Sequence, residues 1–149
     1  MDLADLIAEA QRLIFPRFAE PEAWLLGSTL VTLSEGLPVV INIRTPNRTL
    51  FHAALPGSSG DNDRWARRKS DAALLMQKSS LQIGTELRAK GETLEARGLS
   101  ITEYADAGGA VPIRVAGVGV VACATVSGLP QREDHALVIR GMEQVLCGI

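Results

Sequence analysis

The chain has 149 residues, of which 46% are hydrophobic and 21% charged, and its formal net charge at pH 7 is -2. This composition indicates one ordinary globular domain, residues 1–149, that can bury a core without disulfides or structural metals. The slightly negative charge and the 4% aromatic content argue against nucleic acid as a partner, because nucleic-acid-binding proteins carry basic or base-stacking surfaces.

Cysteine usage and the N-terminal residues bear on the compartment. Cys123 stands in a core strand pattern and Cys147 near the C-terminus, which predicts two reduced thiols, as in a cytoplasmic protein. Residues 1–5 have no basic segment before an apolar one, so no signal peptide is predicted. No run of about 18 uncharged apolar residues predicts a membrane span, and no His/Cys spacing predicts a metal site.

The first half of the chain alternates helical and strand patterns. Apolar residues at helical spacing predict one helix over Leu3–Ile14, which Pro16 ends, and another over Glu20–Glu35. Two β-branched runs at Val39–Arg44 and Arg48–Leu55 flank a short turn. They therefore predict a hairpin.

The second half of the chain also contains patterns of helices and one hairpin. A helix is predicted to begin at the acidic cap near Asp63, because Asp and Asn accept hydrogen bonds from free backbone N–H groups. The predicted elements are helices at about Asp63–Lys78 and Ser79–Lys90, a polar segment at Glu92–Tyr104 broken by Gly98, a hairpin of Pro112–Val115 and Val118–Val126, and a helix at about Pro130–Leu146.

The order of these elements predicts the fold class. Two hairpins separated by helices do not fit a doubly wound parallel sheet. They predict a single α+β domain with one antiparallel sheet of about four to six strands and helices packed on it.

The turn after the most apolar strand is the first candidate site. Ser127 and Gly128 supply turn chemistry, and Pro130 suits the first turn of a helix. Asp134 and His135 follow one turn later and face inward by helical angle. They are candidates for ligand contact, for acid–base chemistry or for axial binding of heme iron. The alternative is a network of capping and interface bonds.

A second candidate lies on the helix that begins near Asp63. Counting 100° per residue from Trp65 places Lys69 inside the apolar sector and Arg68 at its edge. A buried lysine must pair or extend to solvent. Arg68 and Lys69 are therefore candidates to bind a carboxylate or phosphate. The alternative is a salt bridge within or between subunits, for example to Asp61, Asp63 or Asp134.

Two weaker candidates complete the set. His52 lies in a strand and faces opposite to its neighbour Phe51, so it lines an opening or forms a structural hydrogen bond. Gly108 and Gly109 allow close backbone approach to an anion, or form a plain flexible loop.

Four strings together resemble the heme-degrading-domain (GlcG/HbpS-like) superfamily, from about Trp24 to the end of the chain. They are Phe51-His-Ala-Ala-Leu-Pro-Gly57, Asp61-Asn-Asp-Arg-Trp65 with Arg67-Arg-Lys69, Gly108-Gly-Ala-Val-Pro-Ile113, and Val126-Ser-Gly-Leu-Pro-Gln131 with Asp134-His135. The resemblance implies a profilin-like fold, a cytoplasmic location, and homo-oligomers from dimers to rings. It also implies heme binding in some members. The Gly-Gly loop of the superfamily usually follows a His, and here that position is Ala107.

Taken together, these features favour a cytoplasmic protein that binds a small molecule, either heme or another anionic compound. The predicted ligand-binding residues are His52, Asp61, Trp65, Arg68, Lys69, Gly108, Gly109, Ser127, Asp134 and His135. An oligomeric structural or interaction protein without catalysis is one alternative. An acid–base enzyme that uses Asp134 and His135 is another.

Overall fold

The computed structural model describes all residues from 1 to 149 and contains five α-helices, five strands and one short 3-10 helix. In chain order these are α1 (Leu3–Arg12), β1 (Ile14–Phe15), α2 (Glu20–Leu33), β2 (Val40–Thr45), β3 (Arg48–Ala54), α3 (Gly60–Met76), α4 (Ser80–Lys90), the 3-10 helix (Glu95–Arg97), β4 (Ala110–Val115), β5 (Gly119–Ser127) and α5 (Gln131–Gly148). The predicted α+β class, both hairpins and the single sheet are confirmed.

The five strands form one sheet in the order β1-β4-β5-β2-β3. The pairs β4–β5, β5–β2 and β2–β3 are antiparallel, but β1 is parallel to β4, with Ile14 opposite Arg114. The prediction of a purely antiparallel sheet is therefore wrong at this edge. The predicted first helix ended at Ile14, whereas α1 ends at Arg12. The residue before a proline avoids helical geometry, so Phe15, which precedes Pro16, adopts an extended conformation and forms β1.

Helices cover both faces of the sheet, and the strand between them is buried on both sides. Ala124 and Val126 of β5 belong to the main core of 18 buried residues, which α2 and α5 complete. Cys123, which precedes Ala124 and therefore points to the other side of the strand, packs with Ala73 of α3 on the opposite face. Because a strand covered on both faces is apolar throughout, β5 is the most apolar run of the sequence.

The start of α3 lies three residues earlier than predicted. Ser59 is the N-cap, and its backbone N–H donates to Asn62 Oδ1 at 2.9 Å. This reciprocal cap places Asp61 and Asn62 in the first turn of α3 rather than in a loop. The polar segment predicted at Glu92–Tyr104 contains the 3-10 helix, whose C-cap is Gly98. None of the helices combines the length and the apolar character that a bilayer crossing requires.

Candidate functional site

A cleft of about 270 Å³ lies between the first turns of α3 and α5, beside the turn that follows β5. The acidic and aromatic rim comes from α3, and the opposite wall comes from the turn and α5. Its lining residues are Asp61, Asn62, Trp65, Lys69, Ala107, Ser127, Gly128, Leu129, Gln131 and Asp134. Five of the ten predicted site residues, from three separate stretches of the chain, therefore meet in one place.

Lys69 and Asp134 form a buried ion pair in the wall of the cleft. Lys69 Nζ lies 3.1 Å from Asp134 Oδ2, and the two side chains are only 5% and 0% exposed. Asp134 also accepts hydrogen bonds from the backbone N–H groups of Leu129, at 2.9 Å, and Gly128, at 3.3 Å. The alternative that Lys69 pairs with an acid of its own chain is confirmed, and Asp134 fixes the turn against α5.

The electrostatics of Asp134 combine two opposing influences. Burial raises the pKa of its carboxyl group, because a charge is less stable away from water. The Lys69 ammonium and the two backbone N–H groups act against this rise. The carboxylate therefore has its charge balanced within the wall of the cleft.

Gly108 and Gly109 bring the loop before β4 against this pair. Gly109 has φ +138, and a Cβ there would lie 2.5 Å from Val126 O and 3.0 Å from Lys69 Nζ. Gly108 N–H donates to Gln131 Oε1 at 2.8 Å. Both glycines are thus required by close packing behind the cleft, and neither lines it.

Ser127 stands out among the polar lining residues. It is 1% exposed, it lines the cleft, and its hydroxyl has no hydrogen-bond partner in the chain. Asn62 and Gln131 also line the cleft and were not among the predicted site residues. Both residues lie in the first turn of a helix, α3 or α5. The sequence could have identified them only if the first residues of these helices had been predicted correctly.

Trp65 lies at the rim of the cleft, and Arg68 packs on it from outside. The Arg68 guanidinium carbon lies 4.3 Å from the centroid of the Trp65 ring, and Nε donates to Ile101 O at 2.8 Å. Arg68 therefore covers one face of Trp65 by a cation–π contact and does not line the cleft. Arg68 was predicted to bind an anionic group, but the structure does not bring its guanidinium group into the cleft.

His52 lies outside the cleft, on the exposed face of the edge strand β3. Its Nε2 is 2.9 Å from Asp63 Oδ1, and its Nδ1 is 3.1 Å from Asn42 Nδ2. The imidazole is 39% exposed, so solvent reaches it between these two partners. These two contacts are the structural hydrogen bonds that the alternative for His52 predicted.

His135 points away from Asp134 and towards α1. Its Nε2 lies 2.6 Å from Glu9 Oε1, and the two side chains are 3% and 7% exposed. Nδ1 has no partner, and the ring borders an enclosed cavity of about 20 Å³. The structure therefore does not bring His135 into the cleft that Asp134 lines, and the two side chains do not share a site.

The residues of the cleft do not fit the axial binding of heme iron. Its lining offers no imidazole, thiolate, thioether or phenol, and these groups supply axial ligands. Ala107 lines the cleft where the resemblance places a His. Elsewhere, burial raises the pKa of the Cys123 thiol to about 12, and no three His, Cys, Asp or Glu side chains are grouped as a metal site would need.

Comparisons of the sequence with known proteins give consistent relatives. A family model described as "Haem degrading protein HbpS-like" matches residues 18–143. The chain is 46% identical to the UPF0303 protein SCO2848 of Streptomyces coelicolor over 147 residues, which are 97% of this chain and 93% of that protein. It is 43% identical to the UPF0303 protein BTH_I2506 of Burkholderia thailandensis, over 95% of this chain and 88% of that protein.

Solved structures share the fold. The crystal structure of the Ybr137w protein superposes with a TM-score of 0.89 at 31% identity, over 99% of this chain and 89% of that chain. HbpS gives a TM-score of 0.69 at 21% identity, over 87% of this chain and 90% of that chain. A PduOC:heme complex gives 0.70 at 16% identity, over 89% and 94% of the two chains. The last two likenesses concern the fold alone.

Proposed function

Because this chain belongs to the HbpS-like haem degrading protein family, we propose that it binds a small molecule in the cleft between α3 and α5. One observation carries the proposal. Asp61, Trp65 and Lys69 of α3, Ser127 of β5 and Asp134 of α5 line one cleft of about 270 Å³, although they are far apart in sequence. Ligand sites combine an apolar or aromatic wall with a few convergent polar groups.

We propose that the ligand is anionic. Both α3 and α5 begin at the cleft, and the N-terminal end of a helix carries a partial positive charge and free N–H groups. Lys69 adds an ammonium group to the wall. These features support a carboxylate- or phosphate-bearing compound more than a cationic one.

Heme is a second candidate, favoured by the family's description and by the structural neighbour PduOC, which was solved as a heme complex. Within the cleft, no side chain of this chain can bind the iron. His52 is the one imidazole that solvent reaches, because His135 is closed off by Glu9. Axial binding by this chain's imidazoles would therefore take place on β3, outside the cleft.

Thermal unfolding with a panel of ligands tests the cleft. A bound ligand raises Tm, by the equivalent of about 2.7 kcal/mol at one hundred times its Kd. We expect one or more anionic compounds, hemin included, to raise Tm of the wild type. We expect the Ala107→Phe variant, which puts a bulky ring on the lining of the cleft and leaves the residues Lys69 and Asp134 unchanged, to abolish the shift. Ala96→Phe, on an exposed position, is the control.

Two outcomes separate the candidates. A rise in Tm that persists in Ala107→Phe contradicts binding in the cleft. A saturable hemin absorbance band that disappears in His52→Ala but persists in Ala107→Phe assigns heme to β3 and overturns the cleft as its site.

We also propose that the protein is cytoplasmic and forms homo-oligomers. One surface supports self-association. Trp24 and Leu25 of α2 are 60% and 46% exposed, and the Trp24 ring packs edge-on to Phe51 at 5.2 Å. An apolar patch of this kind is typical of an interface. We expect light scattering to give a smaller mass for a Trp24→Ser/Leu25→Ser variant than for the wild type, whereas the exposed control Ile101→Ser keeps the full mass. An unchanged mass in the double variant places any interface elsewhere.

A further inference from the structure

Three side chains of the cleft have hydrogen-bond donors that the chain leaves unused. The first is Ser127, which is 1% exposed and has no hydrogen-bond partner although its hydroxyl can donate and accept. Buried hydroxyls normally have partners. Ser34 Oγ is enclosed and has no partner, whereas the Ser127 hydroxyl keeps access to the cleft that the residue lines.

The second is Lys69. Its ammonium group has three donors, and a single bond, to Asp134 Oδ2 at 3.1 Å, uses one of them. The side chain is only 5% exposed, so bulk water has little access to the other two. Two charged donors therefore remain for an acceptor that enters the cleft.

The third is Gln131, the first residue of α5. Its Oε1 accepts from Gly108 N–H at 2.8 Å, which fixes the amide orientation and leaves the Nε2 donors without an acceptor in the chain. The backbone N–H groups of Gln131 and Arg132 also have no acceptor within α5, whereas that of Glu133 donates to Pro130 O at 2.9 Å.

From these donors we infer that the cleft contains an oxyanion site, formed by Lys69, Ser127 and Gln131, for a carboxylate or phosphate group of the ligand. The inference deepens the proposed function and rests on it. The two acids of the cleft do not oppose it. Asp134 is neutralised by Lys69 and two backbone N–H groups. Asp61 is 67% exposed and lies 3.8 Å from Arg64.

The size of the cleft narrows the ligand. At about 270 Å³ it is at the small end for sites that enclose drug-sized molecules, which measure about 300–1,000 Å³. It suits a small carboxylate or phosphate compound, or the acidic end of a larger one. Charged acceptors gain most from such donors, because hydrogen bonds to ionised groups are about twice as strong as neutral ones.

Titration with inorganic phosphate and with succinate tests the site. The readout is Trp65 fluorescence in a Trp24→Phe background, with chloride at matched ionic strength as the blank. We expect a saturable change with one or both anions, and the anion that acts identifies the acidic group. Ser127→Ala and Gln131→Leu should each weaken binding roughly tenfold, since each removes a donor to a charged group. Ser34→Ala, which removes an unpartnered buried hydroxyl elsewhere, should leave the affinity unchanged.

Lys69 is kept intact in this series, because its removal would leave Asp134 unpaired. No saturable change with either anion, or equal affinity in Ser127→Ala and its parent, overturns the oxyanion site. If Ala107→Phe still abolishes stabilisation by another compound while neither anion binds, the cleft remains a ligand site and the oxyanion inference alone fails.

Discussion

The Asp134→Ala substitution should be among the most damaging single changes in this protein. It removes the partner of Lys69, whose side chain is 5% exposed. It also removes the acceptor of the backbone N–H groups of Leu129 and Gly128. One change thus leaves a buried charge and two backbone donors without partners, at the point where β5 turns into α5.

The expected loss follows from that geometry. Removing one member of a buried ion pair costs about 3–5 kcal/mol. Lys69 borders a cleft, so water can enter and reduce the cost, and we expect about 3 kcal/mol. Since domains unfold with about 5–15 kcal/mol, this is a large share of the stability. In a domain of this size it corresponds to a fall in Tm of roughly 6–12 °C.

Urea unfolding of matched variants measures the loss. Lys69→Met/Asp134→Leu removes both charges together and should cost less than Asp134→Ala alone, because no buried charge is left. Glu92→Ala breaks an exposed pair with Arg97, whose side chains are 40% and 41% exposed, and should cost less than about 1 kcal/mol. The reasoning is refuted if Asp134→Ala loses less than about 1 kcal/mol, or if the double variant is as unstable as the single one.

Three further predictions concern other features. Gly109→Ala, with φ +138 and a Cβ 2.5 Å from a carbonyl oxygen, should cost about 3 kcal/mol or more, against about 1–2 kcal/mol for Gly117→Ala in open space; equal losses in urea would contradict this. A thiol reagent at about pH 8 should label the exposed Cys147 and spare the buried Cys123 until unfolding, so two rapid equivalents would be a failure. A backbone hydrogen bond lowers the pKa of Glu22, so its stabilisation is complete above the ordinary value and lost as pH falls through the lowered one. Glu22→Gln should therefore flatten the acid limb of the stability profile, and an unchanged limb would count against a stabilising role for the hydrogen bond that Glu22 Oε1 accepts from Ala19 N–H, at 2.8 Å, at the start of α2.

The sequence was a good guide to elements and a partial guide to the site. The hydrophobic periodicity and the turn residues predicted both hairpins and all five α-helices to within about three residues, because those signals are local. The short strand β1 was missed, because two residues are too few to show a hydrophobic periodicity. Its position depends on pairing with Arg114 and Val115, a hundred residues later.

The site was predicted in part for the same reason. Helical angle correctly turned Lys69 inward, and the turn at Ser127 correctly marked a cleft. The helical angle could not distinguish Asp134 from His135, because it placed both of these neighbouring residues at the predicted buried face of α5. Only the packing of α1, which brings Glu9 to His135, shows that the two side chains point to different sides of α5.

The two-residue strand β1 has a consequence for association. It occupies the outer side of β4 by parallel pairing at Arg114 and Val115, where an uncovered strand would offer free N–H and C=O groups to another chain. Loss of residues 1–17 would uncover that end of the edge, beside the apolar side chains of Val111, Ile113 and Val115. A truncated chain should therefore form intermolecular sheet and add protomers edge to edge, so the N-terminal segment acts as a guard against aggregation.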